Sequence, residues 1–129
     1  MSEMLRVGID LVHVSRIAGS LEAFGERFLR RVFTAGEAAY AASGSMRVER
    51  LAARFAAKEA AKKALELDGV GWADIEVVRR PSGAVDLCLH GAARAAADAI
   101  GVRELALSLS HEDDFATAVV VARCEHCHE

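Results

Sequence analysis

The sequence predicts an α+β fold in which a mainly antiparallel sheet packs against one central alanine-rich helix. Residues 51–67, LAARFAAKEAAKKALEL, turn at about 100° per residue to set Ala53, Ala56, Ala57, Ala60, Ala61, Ala64 and Leu67 on one face. Arg54, Lys58, Glu59, Lys62, Lys63 and Glu66 fall on the other, so one face packs and one is polar. Two pairs of short apolar segments, 75–79 with 85–89 and 105–110 with 115–122, each read as strand, polar turn, strand. A 53% apolar content and a single proline in 129 residues suit one packed domain rather than a disordered chain.

In chain order, residues 5–12, LRVGIDLV, form the first strand, rich in branched side chains and interrupted by Asp10. A carboxylate inside an apolar strand is costly unless something binds it; it either serves a site or points to solvent at the strand end. From 14 to 32 the pattern turns helical through Leu21, Phe24, Phe28 and Val32, with Arg16, Arg27, Arg30 and Arg31 as a basic flank. Thr34 and Glu37 fit a capping box that opens a short helix ended by Gly44. The central helix follows and runs to Asp68-Gly69. Its Glu59 stands among basic side chains, as a metal and phosphate site requires, although on this helix alone an i,i+4 pair with Lys63 on a solvated face is the favoured reading. Residues 92–100 give a second alanine-rich helix closed by Gly101. His111 falls at the mouth of the last hairpin.

Composition narrows the function classes. A net charge of −3 argues against general nucleic-acid binding. No apolar run is long enough to span a membrane, and the N-terminus lacks a basic-then-apolar signal pattern, so a cytoplasmic protein is expected. Cys88, Cys124 and Cys127 do not make a disulfide framework. Cys124, His126, Cys127 and His128 crowd four soft-metal ligands into five positions, yet structural zinc usually draws on two separated segments. The expected organisation is one domain over 1–122 and a flexible C-terminal tail over 123–129.

Three segments in order, Gly8-Ile9-Asp10 with Arg16, RFAAKEAAKKAL over 54–65, and LSLSH over 107–111, resemble the holo-acyl-carrier-protein synthase family of phosphopantetheinyl transferases. The likeness runs from about residue 5 to residue 122. It implies transfer of the phosphopantetheine arm of coenzyme A to a serine of an acyl carrier protein, releasing adenosine 3′,5′-bisphosphate. It also implies magnesium held by Asp10 and Glu59, which suits a hard ion that takes one or two carboxylates and completes its shell with phosphate and water oxygens. Asp10, Glu59 and Lys63 are then the catalytic candidates, and Arg54, Lys58, Lys63, Ser110 and His111 the coenzyme A contacts. Arg16 and Arg27 become candidates for docking the acidic carrier protein. Family members are homotrimers with active sites between subunits, which would suit so short a chain. In two places the chain departs from the pattern: Gly83-Ala84-Val85 replaces a Gly, basic, Pro turn, and Glu22-Ala23 precede Phe24 where basic residues are common. The first departure leaves open a non-catalytic module that binds coenzyme A or the carrier protein.

Overall fold

The computed structural model describes residues 2–126. The chain opens with β1 (Ser2–His13) and continues through α1 (Val14–Phe24), α2 (Glu26–Val32), α3 (Ala35–Ala42) and the central helix α4 (Arg47–Leu65). A single 3-10 turn, Trp72–Asp74, leads into the hairpin β2 (Ile75–Arg79) and β3 (Val85–Leu89), then α5 (Gly91–Ala99) and a long hairpin of β4 (Val102–Glu112) and β5 (Phe115–His126). The long hairpin and β1 form a three-stranded antiparallel sheet in the order β1-β5-β4; β2 and β3 pair separately. The α+β fold with antiparallel sheets is the one expected.

Alternation along the strands decides where the core lies. One side of the three-stranded sheet carries Gly8, Val12, Ala116, Ala118, Val120, Ala122 and Cys124, all buried. The helix α4 lies across it through Ala56, Ala57, Ala60, Ala61 and Ala64. Small side chains on both surfaces let the backbones come close: a Cβ built on Gly8 would stand 2.1 Å from the carbonyl oxygen of Ala60. Glycine is therefore required at position 8 by approach rather than by dihedral angle.

The capping box forms in full: the Thr34 hydroxyl accepts from Glu37 N at 3.1 Å and the Glu37 carboxylate from Thr34 N at 2.9 Å. Elsewhere local geometry corrects the sequence reading. The helical stretch 14–32 breaks at Gly25, whose φ of 54° lets it close α1 by donating to Leu21 O and start α2. The central helix ends at Glu66, itself left-handed with φ 54°, rather than at Asp68-Gly69. Of the expected tail over 123–129, residues 123–126 instead continue β5 as far as His126, with Cys124 buried opposite Met4 of β1. Cys127 and His128 lie outside the described residues, so the four-ligand cluster does.

Candidate active site

Two residues beyond Gly8 on the same side of β1, Asp10 comes to α4 one turn from Ala60. Its Oδ1 accepts from Lys63 Nζ at 2.9 Å, and Lys63 also donates to Ile9 O at 3.0 Å. Thr117 Oγ1, from β5, donates to Asp10 O at 2.8 Å and fixes that stretch of backbone. One turn back from Lys63 along α4, Glu59 Oε2 accepts from the indole N–H of Trp72 at 2.5 Å. Lys63 thus pairs with Asp10 and not with Glu59. Asp10 Oδ2 and Glu59 Oε1 take no hydrogen bond among the described residues. Two carboxylates, each with one oxygen uncommitted, fit a hard divalent cation. No third Asp, Glu, His or Cys joins them among the described residues, so such an ion would complete its shell with water or phosphate oxygens.

Lys58 is withdrawn from the expected set of phosphate contacts. It is fully buried, and Nζ donates to Glu37 Oε1 at 2.7 Å, Ile75 O at 2.5 Å and Trp72 O at 3.2 Å. An ammonium has three protons, and all three are used inside the protein. Burial draws its pKa down, against the opposing pull of Glu37.

Arg54 is 4% exposed yet faces a groove. Its guanidinium lies over the Tyr40 ring at 4.6 Å, beside those of Arg50 at 4.5 Å and Arg79 at 5.4 Å. Its Nε is buried without a partner, and burial lowers its pKa. A groove of about 550 Å³ runs from these arginines past Arg80 and the turn Gly83-Ala84-Val85 to Ser110 and His111 on β4. The structure therefore unites Arg54, Ser110 and His111 and sets them apart from the Asp10, Glu59 and Lys63 group. Tyr40, Arg50, Arg79 and Arg80 were missed from sequence because they come from α3, α4, β2 and the turn after β2, which share no period. Where Gly83-Ala84-Val85 lacks a basic residue, Arg79 at the end of β2 and Arg80 at the start of the turn supply positive charge to the same groove.

A second groove, of about 350 Å³, is lined by Arg16, Ile17, Phe24, Arg27, Phe55 and Trp72. It brings both docking candidates together around an apolar floor, with Arg16 over Phe55 at 5.4 Å. The start of α1 is held from the far hairpin by Asp114, which accepts from Ser15 Oγ and Ser15 N, both at 2.8 Å. Those bonds, with a further contribution from His13, keep its carboxyl below the usual carboxylate range.

A small α+β domain that carries two partly uncommitted carboxylates and, apart from them, an arginine-lined groove has the features of a phosphate-handling protein. The chain belongs to the 4′-phosphopantetheinyl transferase superfamily, whose family model matches residues 6–120. The holo-[acyl-carrier-protein] synthase of Koribacter versatilis is 47% identical, covering 92% of this chain and 97% of the relative. That of Gloeobacter violaceus is 48% identical, covering 89% of each. Among solved structures, the Chronobacterium ammoniagenes ACPS–CoA complex superposes with a TM-score of 0.86 at 39% identity, covering 95% of this chain and 99% of that one. Helicobacter pylori holo-[acyl-carrier-protein] synthase in complex with coenzyme A gives 0.80 at 30% identity, covering 90% and 98%.

Proposed function

We propose that the protein transfers the phosphopantetheine arm of coenzyme A to a serine hydroxyl of an acyl carrier protein, leaving adenosine 3′,5′-bisphosphate. The observation that carries this reading is the two partly uncommitted carboxylates on β1 and α4 in a chain whose α4 also turns arginine toward a groove lined by further arginines. The relatives' names and their coenzyme A complexes support it.

Transfer of this kind asks for alignment and charge neutralisation more than for a protein nucleophile. Arg54, with an unpartnered buried Nε, and Arg50, Arg79 and Arg80 present guanidinium donors that match phosphate oxygens. Ser110 and His111 close the far end of the same groove. Lys63 holds Asp10 in place through Oδ1. Asp10 and Glu59 would hold magnesium, which when bound neutralises charge developing on the pyrophosphate. The proton of the incoming serine needs an acceptor, and Glu59 or a water beside it is the candidate. The Arg16 and Arg27 groove receives the acidic carrier protein, its charge guiding approach and its apolar floor giving contact area. The chain works as a homotrimer, a reading supported by the exposed apolar face of the three-stranded sheet.

The test is intact-mass measurement of apo acyl carrier proteins incubated with coenzyme A and the enzyme, with Mg²⁺ and with chelator. The expected result is a magnesium-dependent gain of one phosphopantetheine group, reduced by at least about tenfold in Glu59→Gln at limiting Mg²⁺. Coenzyme A binding without any gain would replace transfer by the binding-module reading; undiminished transfer by Glu59→Gln would remove that residue from the metal site.

A further inference from the structure

Trp72 is the single tryptophan of the chain, and the structure fastens it at its carbonyl, its ring and its N–H. Its carbonyl accepts from the buried Lys58 at 3.2 Å. Its ring lies across one stripe of α4, the residues at i, i+4 and i+7. Phe55 packs on it with ring centroids 6.1 Å apart, Lys62 Nζ stands 4.4 Å from its ring centre, and Glu59 Oε2 takes its N–H at 2.5 Å. The same side chain lines the groove that holds Arg16 and Arg27.

We propose that Trp72 is the positioning residue of Glu59: the pinned indole holds Oε2, fixes the carboxylate's rotamer and leaves Oε1 as the oxygen offered to a divalent cation. The chemistry of the donor supports this role. A glutamate has several rotatable bonds, and ordering it on binding costs free energy that a preformed hydrogen bond removes in advance. An ammonium or guanidinium in the same place would hold the carboxylate but oppose a cation beside it. An indole N–H does not ionise in the physiological range and adds no formal charge, so it orients the carboxylate without placing a cation beside it. Asp10 is held differently, by the ammonium of Lys63. The two ligand candidates thus differ: Asp10 shares its charge with an ammonium, whereas Glu59 has no ion-pair partner among the described residues. Lys58, which the sequence offers as a phosphate contact, instead supports the backbone of the residue that aims Glu59.

This inference rests on the proposed metal role of Glu59, and its test separates the two. With wild-type protein, Mg²⁺ alone is titrated while the emission of Trp72 is followed; the expected result is a saturable change that Glu59→Ala abolishes. Trp72→Phe keeps a ring against Phe55 and removes the N–H. It should raise the Mg²⁺ concentration for half-maximal transfer about tenfold, the scale for loss of a residue that orients a metal ligand, with turnover restored at high Mg²⁺ and the KM for coenzyme A little changed. The same rise is expected in calorimetric titration with Mn²⁺. If wild-type transfer depends on the cation but Trp72→Phe shows the wild-type midpoint, the positioning role falls and the metal role of Glu59 stands. If wild-type transfer proceeds equally in chelator, both fall. Should Trp72→Phe not fold, a wild-type emission unmoved by saturating Mg²⁺ overturns the proposal by itself.

Discussion

Lys58 and Glu37 together join four elements. Glu37 receives Lys58 Nζ and Thr34 N on Oε1 and Val77 N on Oε2, while Lys58 reaches Trp72 O and Ile75 O, so α3, α4, the 3-10 turn and β2 meet at one ion pair. Such a pair, with all three ammonium protons and both carboxylate oxygens hydrogen-bonded, contributes little net stability but is expensive to break from one side. Lys58→Met should therefore cost about 3–5 kcal/mol by urea unfolding, because it strands a buried carboxylate. Adding Glu37→Gln removes the stranded charge and should recover part of the loss; additive losses would show that Glu37 is not left charged and alone. The role of Lys58 was not legible in the sequence. Periodicity places it beside Glu59 and Lys62 on a polar arc, and nothing local shows that α3 and β2 cover that side. The one signal was Glu37 itself, already read as a capping residue from the Thr34 spacing, whose second task depends on tertiary approach.

At the scale of elements, the contact of β1 with α4 brings Asp10 to Lys63 on the helix that also carries Glu59. The alanine face of α4 was legible because a seven-residue stripe at helical spacing has few other uses, and the hairpin 75–79 with 85–89 was read at its observed bounds because turn chemistry brackets it. Gly8 was visible only as part of a motif; its steric necessity comes from two backbones meeting. Gly8→Ala should push β1 away from Ala60 and Ala64, with a loss near the upper end of the about 1–3 kcal/mol typical of overpacking. The same shift moves Asp10 relative to Glu59, so transfer per folded molecule should fall as well. A variant destabilised in urea but unchanged in specific activity would show that the carboxylate pair tolerates the displacement.

For the whole molecule, the far side of the three-stranded sheet presents Leu5, Val7, Ile9 and Leu11, between 60% and 72% exposed, beside Val119 and Val121 of β5. An apolar patch of that continuity on a small domain marks a surface meant to be covered. No helix among the described residues is long and apolar enough to cross a membrane, and the patch lies on a sheet. The site is also divided: Asp10 lies on β1, Ser110 and His111 on β4, and β5 runs between them. Packing three copies through the sheet face meets both needs if it brings β4 of one copy to α4 of the next. Val7→Asp should then reduce the mass in light scattering from three times 13.8 kDa to one, and abolish transfer with it. Co-expression of two impaired variants, Glu59→Gln and His111→Ala, gives a sharper result. If each site takes its carboxylates from one chain and His111 from its neighbour, random mixing restores about one site in four. If a single chain supplies the whole site, mixing restores none, and the sheet face would then serve assembly alone.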